Sequence, residues 1–248
     1  LYRVDGPISI YRRKPQDYII DKFINETILL STHVIYQSNW SYNYVKKLSS
    51  IDNEDNFSII NNSYLQSKKE FNHEKSKIRI LISSWSKNWI KGFEIYQYID
   101  FLLEEFKEIE IDFIGQSPIN FRNINNLGVI EHYKLIKCYA KYDIYLTASL
   151  FDPCSNSLAE AKSNNCMIIA RDNGGHKELI NNLDIVFKNH KDLYYIFKNL
   201  SKHLELFLQG NKIIKKESKT SFESYLELIN KLESSNFNLY LNNFLISF

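Results

Sequence analysis

The chain has 248 residues, 44% of them hydrophobic, which is enough to bury a core in one large domain or in two small ones. Its 31 basic residues nearly balance its 29 acidic ones, and a net charge of +2 gives no reason to expect nucleic acid as a partner. No apolar run approaches the roughly 18 residues of a membrane span and no signal peptide is recognisable, so we expect a soluble, cytoplasmic protein.

Residues 1–72 predict an incomplete α/β domain. Strands are predicted at 1–5, 33–37 and 57–60, with helices near 15–30 and 40–49. That content corresponds to half of a doubly wound domain. The segment 66–77 (QSKKEFNHEKSK) is polar and charged, so little of it can be buried, and we expect a linker there.

Residues 73–210 predict a complete Rossmann-like domain, because strands and helices alternate regularly from Ile78 onward. The predicted strands are 78–83, 110–115, 127–130, 143–147, 166–170 and 183–187. The predicted helices are 92–107, 132–141, 156–164, 175–180 and 190–207. Residues 211–248 form a third region, with a helix over about 212–232 and an aromatic-rich tail at 237–248.

The run DPCSNSLAEA at 152–161 is the most informative feature, because it joins strand 143–147 to a helix. In parallel α/β sheets ligands bind outside the carboxyl ends of the strands, where helix N-termini present free N–H groups to anions. Asp152 falls in this crevice and Glu160 about two turns into the helix. The backbone amides of Asn156, Ser157 and Leu158 are suitable donors to a phosphate.

A purely structural interpretation of the same residues remains open. Ser157-x-x-Glu160 has the sequence of a capping box, in which glutamate only closes the helix end. Asp152-Pro153 is a common turn dipeptide. Three cysteines, at 138, 154 and 166, show no zinc-binding spacing and are expected to be reduced. Cys154 as a nucleophile lacks an evident histidine partner.

Five separated motifs carry a resemblance to a known family. They are RVDGP at 3–7, VIYQSNWS at 34–41, WIKGF at 89–93, strand IDFIG at 111–115 and NGGHKELI at 173–180, together with the run at 152–161. In this order the chain resembles the family 4 retaining glycosyltransferases of GT-B type (glycosyl transferases group 1) over about residues 1–200. The implied fold is α/β and GT-B-like, with one complete C-terminal Rossmann-like domain and a partial N-terminal one. Because the chain begins at Leu1, we expect an N-terminally incomplete protein.

The resemblance implies transfer of a sugar from a nucleotide-sugar donor to a glycan or lipid-linked acceptor, with retention of anomeric configuration, as in polysaccharide biosynthesis. It implies that Glu160 binds the ribose hydroxyls and Asp152 the hydroxyls of the donor sugar. The family pattern is Glu-x7-Glu, and here the first position is aspartate. The arginine that commonly precedes the Lys-Gly pair is absent, and Lys87 lies nearby. The C-terminal helices are expected to pack back toward the N-terminal domain.

Lys91 and Gly92 suit the leaving diphosphate. A lysine at a helix start opposes the helix dipole, which favours an anionic partner, and glycine permits close approach of backbone to ligand. Lys91 and the helix amides can stabilise the diphosphate, so we expect neither a metal ion nor a cofactor. By the resemblance, Gly115 also lies at the donor site, and Gly174 and Gly175 form a tight loop near it.

The remaining polar residues of these motifs have weaker assignments. Glu178 is expected to cap or orient the Gly174–Gly175 loop, and His176 to be a surface or packed histidine. Arg3 and Asp5 share one face of a strand, so they either face the interdomain cleft or form a structural salt bridge.

Two other kinds of enzyme fit the motifs less well than a transferase does. A glycosidase with a carboxylate pair and a nucleotide-sugar epimerase receive less support from the motifs. A truncated or degenerate domain that binds a nucleotide sugar without turnover remains an alternative. The basic clusters at 12–14, 46–47 and 68–69 are typical of solvated surface, with peripheral membrane association as the minority interpretation. For the aromatic tail, packing against the N-terminal domain is expected, with a partner interface or a membrane contact as the alternatives.

Overall fold

The computed structural model describes residues 1–6, 8–12, 14–49, 56–63, 77–213 and 220–246. In this part of the chain, nine strands form two separate sheets, and every strand pairing is parallel. A strand lies at each of the nine predicted places. The linker predicted over 66–77 falls outside the described residues except for Lys77.

The smaller sheet has the strand order β1-β2-β3. It comprises β1 (Tyr2–Val4), β2 (Val34–Tyr36) and β3 (Phe57–Ile59), with helices α1 (Ser9–Arg12), α2 (Pro15–Leu30) and α3 (Asn39–Ser49). Alternate side chains of β2 face opposite sides, as the strand period requires. Val34 packs with Ile28 of α2 and Val45 of α3, whereas Ile35 belongs to a different cluster. Both faces of this sheet are therefore covered.

The larger sheet has the strand order β6-β5-β4-β7-β8-β9. Its strands are β4 (Ile78–Ser84), β5 (Ile109–Gly115), β6 (Asn125–Gly128), β7 (Ile144–Thr147), β8 (Met167–Arg171) and β9 (Ile185–Phe187). Its helices are α4 (Phe93–Leu102), α5 (His132–Tyr139), α6 (Asn156–Ser163), α7 (His176–Leu179), α8 (His190–Lys198) and α9 (Leu200–Ile213). A further helix, α10 (Ser221–Ile246), follows.

The core of the larger sheet lies on both of its faces. Ile80 and Ile82 of β4 are fully buried in one cluster with residues of α4 and α8, while Leu81 between them is buried in another with residues of α5 and α6. Strands buried on both sides need continuous apolar runs, which is why these segments were recognisable in the sequence. β6 is the exception: it is an edge strand with mostly exposed side chains, and it lies at Asn125–Gly128 instead of 127–130.

Helix α10 contacts the smaller sheet. Leu228 is buried against Ile35 and Ile60, and the Ser221 hydroxyl donates to the carbonyl of Ser63 at 3.1 Å. The described side chains thus place α10 on the face of the sheet opposite α2 and α3. The side chains of the aromatic tail at 237–248 lie outside the described ones. The domain limits 1–72, 73–210 and 211–248 stay a prediction.

Three predicted helices have the wrong ends. The helix predicted over 92–107 is a 3₁₀ turn at Trp89–Lys91 followed by α4, because Gly92 adopts a left-handed φ of 91° between them. The helix predicted over 190–207 is two helices that meet at Asn199, which ends α8.

The helix predicted over 212–232 begins later than expected. α9 extends to Ile213, and the next helix starts at Ser221. Its start is fixed by Thr220 and Glu223: the glutamate accepts from the Thr220 N–H at 2.7 Å, and the Thr220 hydroxyl accepts from the Glu223 N–H at 3.3 Å. This reciprocal pair is a capping box that the sequence analysis overlooked.

Candidate functional site

Several of the predicted site residues follow the carboxyl ends of adjacent strands. β4 is followed in the chain by β5 on one side and later by β7 on the other, so the strand order reverses between β4 and β7. Such a reversal opens a crevice where parallel α/β proteins bind ligands. Lys91 follows β4, Asp152 follows β7 and Gly174 follows β8.

Lys91 and Asp152 form an ion pair in this crevice. Their Nζ and Oδ2 atoms are 3.4 Å apart, and their side chains are 29% and 16% exposed. The two loops are tied by a backbone bond from the Leu150 N–H to the carbonyl of Ile90 at 2.8 Å. The anionic partner expected for Lys91 is therefore a carboxylate of this chain.

Gly92 is required by its contact with β7. A Cβ atom at this position would lie 2.4 Å from the carbonyl oxygen of Ala148, and the left-handed φ of 91° disfavours any other residue. The close approach predicted for Gly92 is thus to backbone. Gly115 is required for the same reason, because a Cβ atom there would lie 1.9 Å from the carbonyl oxygen of Ser84. Both glycines shape the crevice through packing.

The N-terminus of α6 is capped by Ser155. Its hydroxyl accepts from the N–H of Leu158 at 3.3 Å, so the predicted capping box of Ser157 and Glu160 is wrong. The amide of Leu158, predicted to bind diphosphate, already has an acceptor. The first N–H groups of a helix have no intrahelical partner, so Asn156 and Ser157 remain the amides suited to an anion.

Glu160 is held by two side chains of α5. Its Oε1 lies 2.8 Å from Nε2 of His132, and its Oε2 accepts from the hydroxyl of Tyr139 at 3.2 Å. Burial raises the pKa of Tyr139, so this phenol stays protonated and donates. Glu160 is therefore fixed across two helices and does not reach back to the start of its own.

Gly174 and Gly175 seat the β8–α7 loop directly on the Asp152 loop. A Cβ at Gly174 would lie 2.3 Å from the carbonyl oxygen of Asp152, and one at Gly175 would lie 2.1 Å from that of Pro153. The N–H of Gly175 donates to the Asp152 carbonyl at 2.9 Å. The tight loop predicted from the glycine pair is present, and it determines where Asp152 stands.

His176 is packed inside the protein, which is one of the two positions expected for it from the sequence. Its Nδ1 lies 3.0 Å from the carbonyl oxygen of Arg171, which can only accept, so Nδ1 carries the hydrogen. Burial lowers the pKa of His176 and keeps the ring neutral. Its Nε2 is buried and has no hydrogen-bond partner among the described residues.

Glu178 caps a helix of the smaller sheet, which corrects its expected role in the Gly174–Gly175 loop. Its carboxylate accepts from the N–H of Asn39 at 2.7 Å, from the Asn39 side chain at 2.9 Å and from the N–H of Trp40 at 2.8 Å. These are the first residues of α3. A carboxylate at a helix N-terminus is stabilised by the helix dipole, so this contact joins the two sheets.

Arg3 and Asp5 form the salt bridge that was one of their two interpretations, with Nε and Oδ1 3.5 Å apart. Arg3 also donates to Oδ1 of Asn62 at 3.1 Å. The amide of Asn62 donates in turn to Oδ1 of Asn156 at 2.6 Å and to the carbonyl of Cys154 at 3.1 Å. Arg3 is thus connected through one side chain to the first residue of α6.

The three cysteines are free, as predicted. Burial raises the pKa of the Cys154 thiol to about 11, although it lies beside a helix N-terminus. A thiol with that pKa is protonated near neutral pH and is a poor nucleophile. Cys154 is therefore a packing residue.

The described residues offer neither a metal site of protein side chains nor a membrane-spanning helix. In that part of the chain no group of three or more His, Cys, Asp or Glu side chains could hold a metal ion. Its helices also include none that is both long and apolar enough to cross a membrane.

No protein-family model and no curated protein sequence matches the chain. Among solved structures, HepE from Anabaena, in complex with UDP and glucose, matches with a TM-score of 0.73 and 13% identity over 94% of this chain and 71% of HepE. A mutant of S. aureus TarM, in complex with fondaparinux, α-GlcNAc-glycerol and UDP, matches with a TM-score of 0.70 and 17% identity over 92% of this chain and 50% of TarM.

Sucrose-phosphate synthase from Thermosynechococcus elongatus gives a TM-score of 0.67 with 13% identity over 96% of this chain and 67% of that enzyme. These matches decide the architecture. The chain has the GT-B glycosyltransferase fold. Its two parallel sheets are consistent with the Rossmann-like architecture of that fold. The chain spans 45% of TarM in another structure of that protein.

Sequence reasoning missed His132, Tyr139 and Asn62. Each is joined to the site only by the fold, since His132 is 28 positions from Glu160 and Asn62 is 94 positions from Asn156. None of the three belongs to a recognisable motif. The fold brings His132 and Tyr139 of α5 to Glu160, and Asn62 to the start of α6.

Proposed function

We propose that this chain is the donor-binding part of a retaining family 4 glycosyltransferase that moves a hexosyl group from a nucleotide sugar to a glycan or lipid-linked acceptor. The observation that carries the proposal is the Lys91–Asp152 pair in the crevice where the strand order reverses. The loop that carries Asp152 leads into the N-terminus of α6, and the loop that carries Lys91 is tied to it by the bond from the Leu150 N–H to the Ile90 carbonyl. The structural neighbours solved with UDP and UDP-glucose support a nucleotide-sugar donor.

The diphosphate binds between Lys91 and the start of α6. Lys91 supplies a charge-assisted hydrogen bond, and the N–H groups of Asn156 and Ser157 supply neutral ones. When the bond from the anomeric carbon to the phosphate oxygen breaks, the diphosphate takes the electron pair and its negative charge grows. Both contacts then strengthen, which lowers the barrier to transfer.

The carboxylates bind the two sugars of the donor. Asp152 accepts hydrogen bonds from hydroxyls of the transferred sugar, and its side chain is kept in place by Lys91. Glu160 accepts from the ribose hydroxyls. The backbone around Gly174 and Gly175 closes the same crevice beside Asp152.

The proposal includes no metal ion and no cofactor, because Lys91 and the helix amides stabilise the leaving group. A lipid-linked acceptor lies at a membrane surface, so the proposal includes peripheral membrane association with such an acceptor. Acceptor contacts belong to the partial domain, which carries Arg3, Asp5 and Asn62.

A second candidate function is binding of a nucleotide sugar without turnover. It is favoured by the small size of the second sheet, which has three strands among the described residues. Catalysis by two closing domains depends on positioning donor and acceptor together, which can be worth several kcal/mol, so a partial acceptor domain can bind donor and still fail to transfer it.

The test is calorimetric titration with UDP-glucose, UDP-N-acetylglucosamine, ADP-glucose and GDP-mannose, followed by a transfer assay with glycan and lipid-linked acceptors. We expect at least one donor to bind. Lys91→Ala should lower the affinity for that donor about tenfold or more, because it removes a charge-assisted hydrogen bond. Lys198→Ala, an exposed lysine on α8, is the matched control. Transfer with retained configuration, seen by NMR of the product, supports the first candidate. Binding without transfer supports the second, and absence of binding contradicts both.

A further inference from the structure

Glu160 is a nearly buried carboxylate with one partner inside the protein and one at its surface. The Glu160 side chain is 6% exposed, while the His132 side chain that contacts it at 2.8 Å is 60% exposed. The other partner, Tyr139, is completely buried. Of the two partners of Glu160, His132 is therefore the one that a ligand from solvent can meet.

The position of His132 follows from the parallel topology. His132 is the first residue of α5, which connects β6 to β7, so the start of α5 lies at the carboxyl edge of the sheet. α6 starts at the same edge after β7. Leu135 and Tyr139 of α5 pack with Leu158 and Ala161 of α6, so His132 is held above the first turns of α6.

The hydrogen bonds leave Glu160 with accepting capacity. An ionised carboxylate has about four acceptor sites, and the two protein donors use one on each oxygen. Because His132 and Tyr139 hold different oxygens of Glu160, the carboxylate cannot rotate freely. Its remaining acceptor sites are thus presented in a fixed direction next to the exposed ring.

We propose that His132 is a positioning residue for the nucleotide ribose: it orients the Glu160 carboxylate so that Glu160 accepts from the 2′ and 3′ hydroxyls. The inference rests on the proposed function, since it requires a nucleoside diphosphate in the crevice. It assigns to His132 the preference for a ribonucleotide over a 2′-deoxyribonucleotide. Tyr139 cannot be the adjustable partner, because it is fixed in the core.

If His132 only held α5 and α6 together, a different result would be expected. Loss of such a tie would lower the melting temperature and leave the ratio of ribonucleotide to deoxyribonucleotide affinity unchanged. The ratio therefore separates the two roles, because both nucleotides share the base and the diphosphate.

The experiment is calorimetry with UDP, ADP and GDP on the wild-type chain, then with the tightest of the three and its 2′-deoxy counterpart on the variants. We expect the wild type to prefer the ribonucleotide about tenfold, as loss of one hydrogen bond to a charged group predicts. His132→Ala should reduce that preference to within about threefold by freeing the carboxylate. His132→Gln, whose amide can take the place of Nε2, should restore most of it.

Tyr133→Ala is the matched control, because Tyr133 is the exposed neighbour of His132 on α5. It should leave the preference at the wild-type value. An unchanged preference in His132→Ala would overturn the inference and leave the proposed function standing, as would a wild type that binds both nucleotides equally. Absence of binding by UDP, ADP and GDP alike would overturn the inference and the proposed function together.

Discussion

Lys91 and Asp152 restrain each other, and each has a separate task in the proposed site. Their side chains are mostly buried and 3.4 Å apart, so either one left alone would be an unbalanced, partly buried charge. A diphosphate gives Lys91 a second anionic partner. A sugar gives Asp152 hydroxyl donors.

The division of labour between these two residues is testable. Asp152→Asn keeps the shape of the side chain but removes its charge, so it should lower the affinity for UDP-glucose. The affinity for UDP should stay within about threefold of wild type, because UDP lacks the transferred sugar that Asp152 is proposed to bind. Lys91→Ala should weaken both ligands. Calorimetry with the two ligands on each variant measures this, and equal losses of UDP and UDP-glucose in Asp152→Asn would contradict the assignment.

Glu160 is expected to contribute to nucleotide binding and not to the cap of α6. Glu160→Gln should weaken UDP by about 1 to 3 kcal/mol, the range for losing a hydrogen bond to a charged group. Ser155→Ala, in contrast, removes the observed cap and should cost about 1 kcal/mol of unfolding free energy. Calorimetry and denaturant melts of both variants decide, and a Glu160 variant that loses stability with unchanged UDP affinity would refute the ribose assignment.

The buried ring of His176 should make stability depend on pH. Its pKa is lowered in the folded protein by burial, so the unfolded chain binds a proton more readily. The unfolded histidine titrates near its ordinary value of about 6.5, and unfolding free energy should fall as pH drops below that value. His176→Gln should flatten this part of the curve.

The measurement is urea unfolding at several pH values between about 5 and 8. His33 has a lowered pKa for the same main reason, burial, so His33→Gln must be run beside it as a second contributor. A pH slope in His176→Gln equal to that of wild type would show that His176 does not carry the effect.

At the scale of elements, Glu178 of α7 joins the two sheets by capping α3. Glu178→Gln removes the charge that the helix dipole favours and should cost about 1 kcal/mol of unfolding free energy. The N–H groups of Asn39 and Trp40 should exchange faster with solvent. Hydrogen exchange followed by NMR measures this, with Lys177→Ala, a surface variant next to Glu178, as control. Unchanged protection at Asn39 and Trp40 would contradict the capping role.

The strands were predictable from sequence because their fully buried parts are short apolar runs, as in Ile80–Ile82 of β4, in β7 and in the first four residues of β8. The ends of the helices were less predictable. The left-handed Gly92 and the Thr220–Glu223 box decide where two helices start, and a hydrophobic pattern does not contain that information.

Part of the candidate site was also predictable. The crevice positions of Lys91, Asp152 and the start of α6 follow from local order along the chain. The hydrogen-bond partners of Glu160 and Glu178 cannot be predicted from local order, because they lie far away in the sequence. Glu178, for example, contacts a residue 139 positions away. Ser155 and Ser157 are both plausible caps in the sequence, and only the backbone path selects Ser155.

At the scale of the whole molecule, the two sheets differ in size but share the crevice. The larger sheet has six strands and carries Lys91, Asp152 and Glu160, while the smaller one has three and carries Arg3 and Asn62. The link from Arg3 through Asn62 to Asn156 brings the smaller sheet to the start of α6. Nucleotide binding should therefore also stiffen the contact between the sheets.

The central claim is that a nucleoside diphosphate binds at the carboxyl ends of β4 and β7. A crystal structure of the chain grown with UDP tests it most directly. The account predicts the diphosphate within hydrogen-bond distance of Lys91 Nζ and of the N–H groups of Asn156 and Ser157, with the ribose hydroxyls on Glu160. UDP bound at any other place, or a crevice free of UDP at a concentration that saturates the chain in solution, would contradict it.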